Sequence, residues 1–163
     1  MTGPIARLTG DNNWFEDFAP GRKLRHARGA TVGEAEGQLL GKLVMNTAQA
    51  HWNEDFLKDS PLGSGRVVFG LITASIVIGL ASQDTSENAL AELALDGLHF
   101  RAPVRHGDTL YAYTEVLETA EAPGRDDAGL VRFKHWGVSQ SGQVVFEGER
   151  TVLIKRRRDW EDR

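Results

Sequence analysis

The sequence predicts an α+β fold: one domain in which a single buried helix is wrapped by a curved antiparallel sheet. Three observations carry this. The stretch GRVVFGLITASIVIGLAS, residues 65–82, is apolar on nearly every side and leaves no wet face for a surface helix. From residue 92 onward the pattern changes to long alternating segments separated by turn residues, as consecutive antiparallel strands require. A chain of 163 residues is large enough for a real core, and no shift in composition divides it.

The helix assignment needs defending, because Val67, Val68, Ile72, Thr73, Ile76, Val77 and Ile78 are β-branched and favour strands. Length decides it. The run is too long for an ordinary buried strand and too short to cross a bilayer comfortably. Ala74 and Ser75 interrupt the bulky residues and let another backbone approach closely. Gly65 and Gly70 matter for their backbones, since open N–H groups at a helix start attract negative charge.

The other elements follow in chain order. Residues 1–13 read as a flexible N-terminal arm, anchored by the aromatic residues of Trp14-Phe15-Glu16-Asp17-Phe18. Pro20-Gly21 marks a turn, and Lys23 to Ala27 a short strand. Thr31-Val32-Gly33-Glu34 has the form of a capping box, which starts a helix just after Thr31. Leu39, Leu40 and Leu43 give that helix one apolar face, and it should end around Met45 or Asn46. Residues 46–64 read as loop with a helical turn at most. A strand over 92–100 is interrupted at Asp96-Gly97, and a turn lies within 103–107. Strands over 108–121, 130–140 and 143–157 follow, joined by a charged hairpin loop at 124–129 and a tight turn at Ser141-Gly142. The domain spans 14–158, with 159–163 as a C-terminal tail.

Composition narrows the function. A net charge of −4 argues against a dedicated nucleic-acid binder, and the basic run Lys155 to Arg158 is partly offset by Asp159, Glu161 and Asp162. The absence of cysteine excludes disulfides, thiolate metal sites and cysteine nucleophiles. No charged-then-apolar leader opens the sequence, so a cytoplasmic protein with no membrane partner is expected. The histidines show no metal-ligand spacing, and no metal is expected. His26 and His135 fall on strands, His106 in a turn, and His99 faces away from Leu98 and Phe100.

A helix enclosed by a curved antiparallel sheet is the hot-dog fold, and local strings agree with it. Trp14-Phe15-Glu16-Asp17-Phe18-Ala19-Pro20-Gly21, Thr31-Val32-Gly33-Glu34-Ala35-Glu36, the central helix with its preceding glycines, and Leu98-Phe100-Pro103-Val104-Gly107-Asp108 occur in order. In these the sequence resembles the MaoC-like acyl-CoA dehydratase family, the R-specific enoyl-CoA hydratases, over nearly the whole chain. Members carry D-x-N-P-x-H after the first helix, where the aspartate and histidine activate the water that adds to the enoyl double bond. The matching string is Asn46-Thr47-Ala48-Gln49-Ala50-His51. The resemblance thus implies His51 as general acid/base, with Asn46 in the aspartate position orienting water or the 3-hydroxyl. From spacing alone, Asn46 also suits a helix C-cap and His51 a polar loop residue.

The resemblance further implies that the Gly70 backbone N–H holds the thioester oxygen, where negative charge grows as the enolate forms. Phe69 replaces the family histidine before that glycine; Phe69, Arg66 and Ser75 are the candidate substrate-binding residues. Arg66, Arg101 and Lys155 to Arg158 are the cations available to CoA phosphates, and Arg66 a candidate for a second substrate carboxylate. The expected activity interconverts a 2-enoyl-CoA and a 3-hydroxyacyl-CoA, with no cofactor beyond the CoA of the substrate. The asparagine suggests an unusual substrate, such as the branched dicarboxylyl-CoA of mesaconyl-CoA hydratases. A thioesterase on the same fold, using Glu34 or Glu36, and a non-catalytic acyl-CoA-binding subunit are the alternatives. Family members pair so that each site lies at a subunit contact, which implies a homodimer or larger homo-oligomer.

Overall fold

The structure, a computed structural model, describes residues 13–161; the predicted arm, Asn13 apart, lies outside the described residues. The elements run β1 (Lys23–Thr31), α1 (Glu34–Leu43), α2 (Glu54–Leu57), α3 (Gly70–Thr85), β2 (Ala89–Phe100), β3 (Thr109–Glu121), β4 (Ala128–Ser139), β5 (Val144–Lys155) and α4 (Arg157–Trp160). Short 3₁₀ turns occupy Phe15–Asp17 and Gln49–His51. All strand pairs are antiparallel, in the order β1-β3-β4-β5-β2.

Period-two alternation sets the inner face of this sheet. Leu110, Ala112, Thr114 and Val116 of β3 are buried, as are Val131, Phe133 and His135 of β4 and Phe146, Arg150, Val152 and Ile154 of β5. Against them α3 turns Ile72, Thr73, Ala74, Val77, Ala81 and Thr85. The approach is close: a Cβ on Gly137 would overlap the Val77 side chain. Register shifts between Arg25 and Gly29, Asp96 and His99, and Val116 and Glu118 are bulges, which add the twist that curls a sheet round a helix. The predicted interruption at Asp96-Gly97 is one of these, with Gly97 at φ 57°.

Several predicted boundaries shift, each for a physical reason. The buried helix begins at Gly70 rather than Gly65, because Val67 and Val68 follow their β preference. Val67 bridges to Arg105, and Val68 N–H donates to the Val104 carbonyl at 2.8 Å. The helix then runs on to Thr85, whose hydroxyl bonds the Ala81 carbonyl. β1 continues past Ala27 to Thr31 because Gly29, Ala30 and Thr31 pair with Tyr111, Leu110 and Thr109. Thr31 is therefore a strand residue, its hydroxyl 2.7 Å from that of Thr109, and the cap falls two residues later. There Glu36 accepts the Gly33 N–H at 3.1 Å and α1 opens at Glu34.

The helix is not enclosed all round within one chain. Leu71, Ser75 and Gly79 are exposed on the side of α3 away from the sheet. The apolar face of α1 is also turned outward, with Leu39 58% and Leu43 69% exposed.

At the far end of the sheet, Trp14 and Phe18 are buried, so the aromatic anchor forms as expected. The Arg157 guanidinium lies 2.7 Å from Asp17, and that of Arg156 covers the Phe15 ring. α4 crosses the predicted 158/159 boundary, and the Trp160 indole N–H bonds the Asp127 carbonyl.

Candidate active site

The loop after α1 is built to deliver one histidine to the start of α3. Met45 takes the left-handed conformation at φ 55° and turns the chain out of the helix. Asn46 Oδ1 then accepts the Ala48 N–H at 2.9 Å, and its backbone carbonyl accepts the Trp52 indole N–H at 2.7 Å. These bonds hold the turn over Gln49–His51. From that turn the Ala50 carbonyl accepts the Val67 N–H at 3.1 Å, while His51 Nδ1 donates to the Val67 carbonyl at 2.7 Å. A carbonyl can only accept, so Nδ1 carries a proton, and in the tautomer this selects the lone pair lies on Nε2. Nε2 has no hydrogen-bond partner among the described residues. The half-buried ring lies 5.5 Å, centroid to centroid, from the Phe69 ring.

Phe69 is the N-cap of α3 and Gly70 its first residue. The Ile72 and Thr73 N–H groups share the Phe69 carbonyl, at 2.9 and 3.2 Å. Those of Gly70 and Leu71 have no acceptor among the described residues, which is the usual state of a helix's first donors. A cleft of about 430 Å³ opens there, lined by Phe69, Gly70, Leu71, Thr73, Phe100 and Arg101 among others. A Cβ on Gly70 would stand 3.0 Å from the Phe100 ring, so glycine lets that ring pack closely against the start of the helix. A second, mostly apolar recess of about 450 Å³ lies across Phe69 and Leu71, lined also by Leu40, Val44, Ser75 and Ile76.

The structure therefore packs His51 on Phe69, the residue before Gly70; Phe69 and Gly70 line the cleft, and His51 is not part of that lining. Ser75 belongs to the second recess, where its hydroxyl donates to the Leu71 carbonyl at 2.8 Å. Asn46 lines a separate recess with Lys42, Gln49 and Trp52 and does not line the Gly70 cleft. Arg66 also lies outside that cleft. It is clasped between Glu54, at 2.9 Å, and Glu34, tying α1 and α2 to the loop. The Glu34 and Glu36 carboxylates proposed for a thioesterase are thus engaged by Arg66 and by the Gly33 amide. Among the described residues no group of three or more acidic or histidine side chains is arranged to hold a metal, and no helix is long and apolar enough to cross a membrane.

A second polar set lies beneath the C-terminal half of α3. His26 bonds Asp84 through Nδ1 and Thr114 through Nε2, both at 2.7 Å, and the Thr114 hydroxyl meets His135 Nδ1 at 2.8 Å. Beside them the buried Arg150 donates to Thr85 at 2.8 Å and to Glu92 at 3.1 Å. Burial, then the Arg150 and His26 charges, hold the His135 imidazole well below its ordinary range. Sequence reasoning placed His26 and His135 on strands but did not connect them. The available signal was phase, since His135 alternates with Val131 and Phe133. In the sequence Thr73 is only one of several β-branched residues in an apolar run.

Five antiparallel strands wrapped on one helix, with a cleft at the helix's open N-terminus, define a hot-dog protein of the MaoC-like class. Within that class, the chain belongs to the mesaconyl-CoA hydratase family, whose model matches residues 4–156. Mesaconyl-CoA hydratase of Haloarcula marismortui is 32% identical to it, over 94% of this chain and 45% of that protein. The (R)-specific enoyl-CoA hydratase of Rhodospirillum rubrum is 31% identical, over 89% of this chain and 94% of that protein. The solved structure of a putative MaoC domain protein dehydratase from Chloroflexus aurantiacus superposes with a TM-score of 0.83 at 29% identity, over 91% of this chain and 46% of that one. The chain spans less than half the length of the mesaconyl-CoA hydratases it matches.

Proposed function

We propose that this chain is a hydratase/dehydratase that interconverts a 2-enoyl-CoA and a 3-hydroxyacyl-CoA, acting on a short dicarboxylyl-CoA such as mesaconyl-CoA. One observation carries the reading. His51, its Nδ1 committed to the Val67 carbonyl, packs on Phe69, and neither its Nε2 nor the N–H of the following residue, Gly70, has a partner among the described residues. Family membership and the names of the relatives support the same chemistry.

In the hydration direction His51 Nε2 takes a proton from water as the water oxygen bonds to C3. The electrons of the C2–C3 double bond move toward the thioester, and the Gly70 N–H supports the charge that develops on its oxygen. The proton held by His51 passes to C2, which restores the imidazole and completes the addition. Asn46, whose side-chain carbonyl accepts the Ala48 N–H in a recess apart from the Gly70 cleft, serves by holding the turn that presents His51. Phe69 and Ser75 shape the acyl-binding recesses, and Arg66 holds the loop that carries His51. CoA enters as part of the substrate, and no further cofactor takes part.

The working assembly is a homodimer or larger oligomer in which a partner covers the exposed apolar residues of α1 and α3. The reading places the protein in the cytoplasm and the hot-dog unit at residues 14–158.

Incubation with crotonyl-CoA and mesaconyl-CoA tests the activity. Loss of enoyl absorbance without free thiol is the expected result, and release of free thiol would assign a thioesterase instead. His51→Ala should lower kcat by about 10²–10⁴-fold. An unchanged rate in that variant removes His51 from the mechanism.

A further inference from the structure

The hydroxyls of α3 do not all behave alike. Ser75, Ser82 and Thr85 each donate back to a carbonyl of their own helix, at 2.8, 2.7 and 2.7 Å. Thr73 does not. Its residue is 1% exposed, yet Oγ1 has no partner among the described residues. The carbonyl one turn back, on Phe69, already accepts the N–H groups of Ile72 and Thr73. A buried hydroxyl left unpaired is disfavoured, and the exceptions that persist need a reason. Thr73 lines the Gly70 cleft, so the reason lies in what the cleft receives.

The cleft's other lining is mostly apolar, with Val68, Leu71, Phe100 and Val104, and suits a short carbon skeleton. Among the described residues, Arg101 is the one cation in that lining. Its guanidinium is paired with Glu147 through Nε at 2.8 Å and Nη2 at 2.6 Å. Glu147 has a second cation, Lys134, at 3.4 Å. Arg101 can therefore turn to another anion without leaving Glu147 uncompensated. A guanidinium fork matches the two oxygens of a carboxylate, and a hydroxyl lining the same cleft supplies a further donor.

We infer that Thr73 and Arg101 form the subsite for a second carboxylate on the acyl group, which makes them the residues that select dicarboxylyl over simple acyl thioesters. The inference deepens the hydratase reading and rests on it for the seating of the thioester at Gly70. It differs from the sequence-based expectation for Arg66, whose guanidinium is already held by Glu34 and Glu54.

Calorimetric titration with succinyl-CoA and butyryl-CoA tests it, because the two share acyl length and only the first ends in a carboxylate. Neither is an enoyl thioester, so binding is read apart from turnover. The wild-type protein should bind succinyl-CoA at least about tenfold more tightly, since a charge-assisted bidentate pair adds affinity of that order. Arg101→Gln should abolish the preference. Thr73→Val should reduce it about three- to tenfold, with Thr73→Ser retaining it and butyryl-CoA binding changed less than about twofold throughout. The melting temperature of Thr73→Val should match or exceed the wild type, because an unpaired buried hydroxyl has been removed.

Equal wild-type affinity for the two thioesters overturns the inference. So does equal weakening of both in Arg101→Gln, which assigns Arg101 to the CoA phosphates. Absence of preference alongside normal hydration of crotonyl-CoA sinks the subsite alone. A succinyl-CoA preference lost in both variants, with no enoyl-CoA hydrated, supports the subsite and sinks the hydratase reading.

Discussion

Mild acid should destabilise this fold through His135, well before its carboxylates titrate. The imidazole is fully buried on the inner face of β4. Burial, the neighbouring Arg150 and the charge of His26 all disfavour its protonated form. In the unfolded chain a histidine titrates near pH 6.5. Below that pH the unfolded chain therefore binds a proton that the native chain refuses, and stability falls as pH falls; above it the term is flat. The slope approaches about 1.4 kcal/mol per pH unit, or about 2 kcal/mol between pH 6.5 and 5. Glu147, whose carboxyl the Arg101 hydrogen bond holds below the usual range, contributes stability that is lost only at lower pH. Asp84, Glu92, Arg150, His26 and Thr114 surround the site in wild type and variant alike. The assay is urea unfolding at pH 7.5, 6.5, 5.5 and 5.0, for the wild type and His135→Gln. The wild type should lose about 2 kcal/mol more than the variant between pH 7.5 and 5.0. Parallel pH dependence in the two proteins would refute the reasoning, whatever their absolute stabilities.

Gly137→Ala should cost about 1–3 kcal/mol, because its Cβ overlaps Val77 and the core has no slack there. Adding Val77→Ala should recover part of that loss in thermal unfolding; simple additivity of the two would place the contact elsewhere. Asn46→Asp keeps the acceptor that holds Ala48 N–H, so unfolding free energy should change by less than about 0.5 kcal/mol. The same variant should gain hydration of crotonyl-CoA, since it places a carboxylate on the loop that carries His51; a fall in rate would show that the amide hydrogens are required.

The fold was legible where local pattern and tertiary structure agree. Alternation in β3, β4 and β5 reads directly, because each strand has one face on the core. The apolar run at α3 reads as buried, but its start does not: only the pairing of Val67 with Arg105 shows that its first residues are extended. The cap was misplaced by two residues because Thr31 and Glu34 fit the pattern as well as Gly33 and Glu36. Which pair is used depends on β1 reaching Thr109, a contact made far along the chain. At the site, His51 and Gly70 came from the family strings, and the packing of His51 on Phe69, the residue before Gly70, from the structure. The ion pairs of Arg66 reach 12 and 32 residues along the sequence, so its engagement could not be read locally. Thr73 was invisible for a different reason. Its interest lies in a bond it does not make, and no pattern of residue types records that.

The strand order has a consequence for synthesis. β3, β4 and β5 follow one another as hairpins, whereas β1 and β2 join them from earlier in the chain; His26 and Thr114 are 88 residues apart. As the polypeptide leaves the ribosome, α3 emerges before the three strands that shield it. Some 70 residues separate Thr85 from Lys155, about 4 to 14 s at ordinary elongation rates. For that interval Ile72, Val77 and their neighbours have no sheet to lie against, so the nascent chain is the form most exposed to aggregation and to chaperone capture.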